Sequence, residues 1–427
     1  MATGETAATR LAAALAIVLG LDRLPVRLRA WDGSVDGPDD APEVVIRSRR
    51  AVRRLIWAPG ELGLARAYVA GEIDVEGDLY APFGALSSAG RLAPGQELPG
   101  PTWRERLALL RSAVRLGVLG PPPPPPPEEV RLRGVGRTHS RTRDAVAVSS
   151  HYDVGNDFYR LVLGPSMVYS CAVWEDEATG LDAAQAAKLD LICRKLGLGP
   201  GSRLLDVGCG WGSLALHAAQ QYGATVVGIT LSTEQATLAR KRVAEAGLTD
   251  RVDIRVQDYR EITDGPFDAI SSVGMAEHVG RAQLPVYAGR LAALLRPGAR
   301  LLNHAISWAA EPTSWDDDSF ISRYVFPDGE LISLPDMIGA LESGDLEVLD
   351  VEALRRHYAL TLRAWVANLE EHWTEAVAAT SEGRARVWRL YMSASALAFE
   401  AGAMGVNQVL LQRPGGAPPP LRRHDWI

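Results

Sequence analysis

Cysteine is scarce in this chain of 427 residues, and the few cysteines form no framework of pairs. The three thiols, Cys171, Cys193 and Cys209, are an odd number and lack the spacing of metal ligands. This usage excludes a disulfide-stapled secreted domain, gives no support to a metal site, and suits a reducing compartment. We therefore expect a cytoplasmic protein.

Long apolar runs are also lacking. The longest, residues 11–21, follows a single nearby arginine and is too short for a membrane span, which takes about 20 residues. It imitates the apolar part of a signal peptide, but its apolar side chains also fall on one face of an amphipathic helix. The helix is the interpretation we favour, and it makes the chain soluble.

Lysine is rare, so the positive charge comes mainly from arginine. Residues 1–150 carry 20 arginines and 17 acidic residues, whereas the remainder carries 25 basic and 35 acidic residues, for a net charge of -7. Two clusters stand out: Arg47, Arg49, Arg50, Arg53 and Arg54, then Arg131, Arg133, Arg137, Arg141 and Arg143. They suit anionic lipid headgroups, with a solvated arginine-rich face as the alternative. Nucleic acid fits poorly, because no aromatic residues alternate with the arginines.

An uninterrupted proline run at 121–127 favours a stiff polyproline II spacer. We predict an amino-terminal domain at 1–120, which docks on lipid, on a membrane or on a second subunit, and a proline-rich linker at 121–145. A second domain follows at 146–427. Within the first domain, 44–46 and 55–57 read as short strands and 63–71 as a short helix.

The second domain alternates strands with helices. Strands are predicted at 203–207, 225–229, 252–256, 267–272 and 300–305, and helices from Ser213 and over 233–246. Such alternation predicts an α/β fold with a doubly wound, mostly parallel sheet. The segment 360–405 has helical spacing and contributes to a predicted helical cap around 309–405, which could roof an acyl channel; ordinary helix packing is the alternative.

A glycine-rich turn follows the first strand of this domain. Asp206 precedes Gly208, Gly210 and Gly212, and the next strand ends without the acid that NAD sites carry. This pattern suits S-adenosylmethionine better than NAD. Thr230 and Gln235 are the polar groups available for the ribose and amino-acid portions, and Gln257 and Asp258 for the adenine amino group. Ser232 is a further candidate, with helix capping as an additional role for it and Thr230.

Several ordered motifs resemble the cyclopropane fatty acid synthase family over about residues 145–412. They are HYDVGNDFY at 151–159, MVYSCAVW at 167–174, DVGCGWG at 206–212, QDYR at 257–260, SVGMAEHVG at 272–280 and YVFPDG at 324–329. The family includes mycolic acid cyclopropane synthases, methoxy-mycolate-type methyltransferases and actinobacterial enzymes that form methylene branches. The resemblance implies a class I, Rossmann-like methyltransferase that uses S-adenosylmethionine, and it adds Tyr169 and Ser170 to the cofactor site.

The resemblance also implies the reaction. A methyl group would be transferred to the cis double bond of an oleoyl-type acyl chain in a phospholipid, and a bound bicarbonate ion would deprotonate the resulting carbocation. The bicarbonate residues of the family correspond here to Cys171, Glu277, His304, Ile306 and Tyr358. Aromatic side chains could stabilise the cation, with core packing as the alternative. The candidates are Tyr169, Trp174, Tyr324 and Phe399.

Three features bear on the product. Ala276 stands where synthases of this family usually carry a large aromatic residue, and Asn303 stands where they carry an apolar one. The stretch 24–34 looks like the branch that makes methylene chains, which a flavin- or NADPH-dependent reductase then converts to 10-methyl chains. We therefore expect a methylene product, with cyclopropane as the alternative.

The resemblance further suggests a homodimer, peripheral to the inner face of the membrane. Two other classes of function stay open. One is a non-catalytic lipid-binding protein on a methyltransferase fold, since a fold does not establish activity. The other is a small-molecule N- or O-methyltransferase, which needs no acyl channel.

Overall fold

The chain divides into two units by the contacts within each. The computed structural model describes residues 5–89, 100, 102–130, 143, 155–309 and 319–425. The first unit comprises 1–129, 316–324 and 382–393, and the second comprises 130–315, 325–381 and 394–427. The domain limits drawn from the sequence stay a prediction. Two stretches of the expected helical cap, 316–324 and 382–393, group with the first unit.

The helices follow one another along the described chain. They are α1 (Ala7–Leu19), α2 (Arg49–Trp57), α3 (Glu61–Val69), α4 (Tyr80–Ser88), α5 (Trp103–Leu116), α6 (Asn156–Leu163), α7 (Leu181–Leu196), α8 (Ser213–Tyr222), α9 (Thr233–Glu245), α10 (Ala276–Val279), α11 (Leu284–Leu294), α12 (Phe320–Tyr324), α13 (Leu334–Glu342), α14 (Arg355–Glu371), α15 (Trp373–Ala379) and α16 (Glu382–Glu400). Short 3₁₀ turns lie at Tyr259–Glu261, Arg281–Gln283 and Arg423–Asp425.

The strands of the first unit form a four-stranded sheet in the order β2-β1-β3-β4. They are β1 (Arg27–Ala30), β2 (Val35–Asp36), β3 (Glu43–Ile46) and β4 (Ile73–Val75). β1 runs parallel to β3, and the other two pairings are antiparallel. The strand expected at 44–46 is confirmed as β3, and the helices expected at 11–21 and 63–71 are confirmed as α1 and α3.

The strand expected at 55–57 is wrong, because these residues end α2. Ser48 caps this helix by accepting a hydrogen bond from the amide of Arg50, which favours a helical start. Arg54, on the inner face of α2, is buried in an ion pair with Glu72 at 2.9 Å. The apolar run that suggested a strand is therefore part of an amphipathic helix.

The first arginine cluster is largely paired with carboxylates of its own unit. Besides Arg54, Arg50 lies 3.2 Å from Glu72 and Arg47 lies 2.8 Å from Asp74. The expected assignment of this cluster to lipid headgroups is thus weakened, because three of its arginines already have anionic partners. In the second cluster, Arg131, Arg133, Arg137 and Arg141 fall outside the described residues.

The second unit contains the α/β sheet. Its strands are β5 (Arg203–Val207), β6 (Thr225–Thr230), β7 (Val252–Val256), β8 (Phe267–Val273), β9 (Leu295–Trp308), β10 (Ile332–Ser333), β11 (Glu347–Ala353) and β12 (Met404–Gln412). Their order is β11-β12-β9-β8-β5-β6-β7, and β10 pairs with β9. Only the pairings of β12 with β9 and β11 are antiparallel among these strands. The doubly wound, mostly parallel sheet is confirmed.

Buried side chains cover both faces of this sheet. On β5, Leu204 packs into one apolar cluster with α7 and α8, and its neighbour Leu205 packs into another with α11. The strand order reverses at β5, because β6 and β7 follow on one side of it and β8 and β9 on the other. Ligands bind at the carboxyl ends of strands beside such a switch point. Within the described residues, no helix is long and apolar enough to cross a membrane.

Candidate active site

A glycine turn opens a pocket at the carboxyl end of β5. Gly208 has a φ of 80°, which favours glycine, and a Cβ built on it would lie 2.5 Å from Cγ of Met275. Gly228, on the neighbouring strand β6, is equally confined, because its Cβ would lie 2.8 Å from Ile254. A side chain at either position would collide with neighbouring protein atoms. Close approach of this backbone to a ligand stays a prediction.

The pocket collects nearly all of the predicted cofactor residues. Its walls include Tyr169, Ser170, Asp206, Gly208, Gly210, Thr230, Gln235, Gln257 and Asp258. Ser232 is not part of this lining. It is buried at the start of α9, where its hydroxyl accepts a hydrogen bond from the amide of Gln235, so the capping role is confirmed for Ser232.

The polar side chains of the pocket are held by one another. The hydroxyl of Thr230 donates to Oε1 of Gln235 at 2.8 Å, and it accepts from the amide of Ser232 at 3.1 Å. Asp258 is clamped by Arg260, whose Nε and Nη2 donate to its two carboxylate oxygens at 2.8 and 2.6 Å. Oδ1 also accepts from the amide of Arg260 at 2.9 Å, so the position of the carboxylate is fixed in advance.

Asp206 is buried at the inner end of the pocket. The hydroxyl of Ser271 donates to its Oδ1 at 2.8 Å, whereas Oδ2 has no hydrogen-bond partner among the described residues. Burial raises the pKa of Asp206 to about 6, and the hydrogen bond from Ser271 and the charge of Lys188 oppose that shift. An orphaned carboxylate oxygen facing a pocket is suited to a cationic group of a ligand.

Lys188 is a pocket residue that the sequence analysis missed. It projects from α7, is buried, and donates to the hydroxyl of Ser170 at 3.0 Å. Burial lowers the pKa of Lys188 to about 8, and the nearby Cys171 and Asp206 oppose the shift. The rarity of lysine in this chain was the available signal, since lysine is rarely buried without a partner.

A second polar cluster lies where α10 meets β9. Oε1 of Glu277 accepts a hydrogen bond from the amide of Ile306 at 2.7 Å, and its enclosed Oε2 has no partner among the described residues. Burial raises the pKa of Glu277 to about 7, against the opposing effect of the Ile306 amide. Ile306 belongs to the predicted bicarbonate residues, but its amide is not available as a donor for an anion because it already donates to Glu277.

His304 lies two residues before Ile306 on the same face of β9. Its Nδ1 lies 3.3 Å from the side-chain nitrogen of Gln408, and its buried Nε2 has no partner within the described part of the chain. Oε1 of Gln408 accepts from Lys195 at 2.8 Å, so the amide group of Gln408 faces His304. Burial, assisted by the charges of Lys188 and Lys195, lowers the pKa of His304 to about 3. The imidazole is neutral and carries its proton on Nε2.

Tyr358 lies in the first turn of α14, and Cys171 contacts Leu354, the residue that precedes this helix. The thiol of Cys171 donates to the carbonyl oxygens of Ala172 and Leu354, and burial raises its pKa, so it remains a protonated thiol. Tyr358 packs its ring 4.8 Å from that of Phe399. The five predicted base residues are absent from the walls of the cofactor pocket.

The predicted aromatic residues separate into three environments. Tyr169 lines the pocket, and its ring centroid lies 5.3 Å from that of Trp365. The ring of Trp365 in turn contacts that of Tyr358 edge-on, with 6.0 Å between their centroids. This row of rings leads from the pocket to Tyr358, one of the predicted base residues. Trp174 donates to the hydroxyl of Thr361 at 3.0 Å, a packing role. Tyr324 belongs to the first unit, where its hydroxyl forms a hydrogen bond with Glu129.

Two signature segments show different outcomes. Residues 151–154 of the first motif lie outside the described residues. In the last motif, Asp328 lines the pocket, and Nε and Nη2 of Arg143 donate to its carboxylate at 2.5 and 2.7 Å. Arg143 is thus engaged with a pocket residue.

Comparisons with known proteins agree with this geometry. The sequence profile described as mycolic acid cyclopropane synthetase matches residues 139–409. A probable fatty acid methyltransferase of Mycobacterium tuberculosis is 43% identical over 416 residues, covering 96% of this chain and 95% of that protein. The cyclopropane-fatty-acyl-phospholipid synthase of Escherichia coli is 36% identical over 335 residues, covering 78% and 85% respectively.

Two further matches bear on product and fold. The tuberculostearic acid methyltransferase of Mycobacterium tuberculosis is 33% identical over 406 residues, covering 92% of this chain and 88% of that protein. The crystal structure of a mycolic acid cyclopropane synthase complexed with SAH and CTAB has a TM-score of 0.60 and 34% identity. It covers 63% of this chain and 98% of its own.

Proposed function

The chain belongs to the mycolic acid cyclopropane synthetase family of S-adenosylmethionine-dependent lipid methyltransferases, and from that premise we propose its substrate and its base. The substrate is the cis double bond of an oleoyl-type acyl chain in a phospholipid. The relative from Escherichia coli supports this choice, since its name specifies a fatty-acyl phospholipid. The observation that carries the proposal is the row of rings from Tyr169 through Trp365 to Tyr358, which joins the cofactor pocket to one of the predicted base residues.

The pocket residues fit S-adenosylmethionine. When bound, this cofactor supplies an electrophilic methyl group on a sulfonium sulfur. Oδ2 of Asp206 has no hydrogen-bond partner within the described ranges and can accept from the amino group of the cofactor. Thr230 and Gln235 are available for the ribose and amino-acid portions, and Gln257 and Asp258 for adenine. Tyr169 and Ser170 would close over the cofactor, with Ser170 held by Lys188.

The second cluster fits a bound bicarbonate ion. The neutral His304 offers Nε2–H as a donor, and Oε2 of Glu277 can accept the hydroxyl proton of bicarbonate. Ile306 acts by holding Glu277. The family resemblance adds Tyr358 and Cys171 to the proposed site. Bicarbonate supplies the base that removes a proton from the methylated chain. The buried setting excludes water, which would otherwise trap a carbocation.

For the product, we propose an exocyclic methylene at C10, with cyclopropane as the alternative. The similarity to a tuberculostearic acid methyltransferase over 92% of this chain supports it. Methylene formation requires a hydride shift before proton loss, whereas ring closure does not. Asn303 bears on this choice only indirectly, because it faces Tyr287 on the side of β9 opposite His304.

A methylene product would be consumed by a reductase that uses a flavin or NADPH. We also propose that the protein works as a homodimer at the inner surface of the membrane. The location at the membrane follows from the substrate, which resides in a bilayer. The homodimer rests on the family resemblance.

The proposal is tested by incubating the purified protein with S-adenosylmethionine, bicarbonate and vesicles that contain dioleoyl phospholipid. We expect a mass gain of one CH2 in the recovered acyl chains, and NMR signals of exocyclic methylene protons. NMR signals of cyclopropane ring protons would instead show that the product is the cyclopropane. Binding of lipid without any mass gain would overturn the proposed enzymatic activity and favour a non-catalytic lipid-binding protein.

A further inference from the structure

Helix α5 of the first unit exposes an apolar stripe. Its members, spaced so that they share one face of the helix, are Trp103 (70% exposed), Leu107 (39%), Leu110 (53%) and Val114 (59%). The opposite side of α5 joins the core of the unit through Ala113 and Leu116. The helix is therefore anchored on one side and presents large apolar side chains on the other.

Arginines border the stripe. Arg104, Arg106, Arg111 and Arg115 are all exposed, and Glu105 is the one acid within α5. Glu105 is used in a capping box with Thr102, which fixes the start of the helix. A helix with an apolar face, bordering arginines and an interfacial tryptophan has the composition of one that lies in a membrane interface.

Further apolar side chains are exposed on or beside the segment that follows α5. Ile56, Trp57 and Leu119 are exposed, and the indole of Trp57 donates to the carbonyl of Gly120 at 2.9 Å. Trp57 therefore lies beside the segment that follows α5. The patch formed by α5, Ile56, Trp57 and Leu119 is hereafter the α5 surface.

We propose that the α5 surface docks the protein on an anionic phospholipid bilayer, with α5 lying along the headgroup boundary. The proposal rests on the proposed function in one respect, namely that the substrate resides in a bilayer. Charge complementarity selects this occupant, because the arginines would contact anionic headgroups while the apolar stripe enters the acyl region.

A second copy of the chain is a poorer occupant. A two-fold contact would place the same surface on both sides, so the arginines of one copy would face those of the other. The first arginine cluster is a poorer docking site too, because Arg47, Arg50 and Arg54 are paired with carboxylates.

The test is sedimentation of the full chain with dioleoyl-phosphatidylglycerol vesicles. In Val114→Glu, a carboxylate in the stripe should weaken binding about tenfold or more. Val286→Glu is the matched control, since Val286 is 53% exposed on α11 of the other unit, and it should bind like the wild type. The double variant Arg111→Gln, Arg115→Gln should weaken binding to anionic vesicles, as should added salt. Circular dichroism must show the same fold for all variants.

Activity separates this proposal from the proposed function. Val114→Glu should still methylate dioleoyl phospholipid in detergent micelles while losing activity on vesicles. Vesicle binding that depends on Val114, in a protein that methylates nothing, would support the α5 surface and overturn the function. Equal vesicle binding by the wild type, by Val114→Glu and by the arginine double variant would overturn docking through the α5 surface. A dimer that dissociates in Val114→Glu without any change in vesicle binding would overturn it too.

Discussion

The side-chain nitrogen of Gln408 lies 3.3 Å from Nδ1 of His304, and this contact sets the tautomer of the histidine. Lys195 fixes the orientation of Gln408 by donating to its oxygen at 2.8 Å. Lys195 is held in turn by Glu352 at 2.5 Å. A chain of three side chains on α7, β11 and β12 thus leaves Nε2–H of His304 as the donor toward the proposed bicarbonate site.

Replacing Gln408 by Glu should reverse this polarity. The new carboxylate would accept a hydrogen bond from Nδ1–H, so the proton of the neutral ring would lie on Nδ1, and Nε2 of His304 could no longer donate to an anion. We expect kcat to fall about 100-fold, within the range of lost acid–base groups, with little change in KM for S-adenosylmethionine. Steady-state kinetics measures both parameters.

Gln412→Glu is the matched control for this variant. Gln412 lies on the same strand, pairs with Arg300 instead of His304, and bonds to the carbonyl oxygens of Gly298 and Ala417. Its replacement should leave kcat within about threefold of wild type, allowing for the context dependence of such contacts. Equal losses in both variants would mean that Gln408 is merely structural.

Glu277→Gln should lower activity and stabilise the protein at high pH. The pKa of Glu277 is raised to about 7 in the fold, so its favourable contribution is fully present below the unfolded value of 4.5 and is lost as pH rises through about 7. At pH 8 the carboxylate is charged, so the neutral amide of the variant should raise the free energy of unfolding by about 2 kcal/mol. This is less than the whole pKa shift would give, because the side chain of Glu277 is only partly shielded from solvent.

Thermal melts at pH 5 and pH 8 measure this difference. The variant should gain in Tm over wild type only at pH 8, whereas Glu234→Gln, on the exposed surface of α9, should change little at either pH. A gain of equal size at both values would show that the charge of Glu277 is not the cause.

Lys188→Met should weaken cofactor binding. The variant removes the donor that holds Ser170 and the cation near Asp206, so S-adenosylhomocysteine should bind about tenfold more weakly. Isothermal titration measures the affinity. Lys241→Met is the control, since Lys241 is exposed on α9, and it should keep the wild-type Kd. Unchanged binding in Lys188→Met would remove Lys188 from the cofactor site.

Gly208→Ala tests the close approach of the glycine turn. The new Cβ would meet Met275 and also strain a φ of 80°, so cofactor binding should fall more than tenfold and stability should fall too. Gly201→Ala is matched for strain, with a φ of 83° and no atom within 4 Å of the added Cβ. It should cost only about 1 kcal/mol in free energy of unfolding and leave binding intact. Similar binding losses would mean that backbone strain alone is responsible.

Local patterns predicted β5 to β8 and the central part of β9, because these strands are apolar runs or alternate apolar with polar residues. Thr225–Thr230 and Val252–Val256 are examples. The strand expected at 55–57 failed because three apolar residues cannot be told from the last turn of an amphipathic helix. The grouping of 382–393 with the first unit depends on long-range contacts such as that of Arg386 with Asp74 at 2.8 Å, which periodicity does not reveal.

The candidate site was predicted in its residue types more than in its connections. Asp206 and the pocket glycines followed from the strand and turn pattern, and Glu277 and His304 from the family resemblance. Lys188, Lys195 and Gln408 were missed, because their roles arise where α7 meets strands far away in the sequence. The rarity of lysine offered a signal, since two of the three lysines are buried on one helix.

The most direct measurement uses S-adenosylmethionine with a fully deuterated methyl group and dioleoyl phospholipid vesicles, followed by mass spectrometry of the acyl chains. We expect the added carbon to keep two of its three deuterium atoms, because the base removes one from the transferred methyl group in either product. Acyl chains without added label would contradict methyl transfer to the lipid. Retention of all three deuterium atoms would contradict deprotonation of that methyl group at the Glu277 and His304 site.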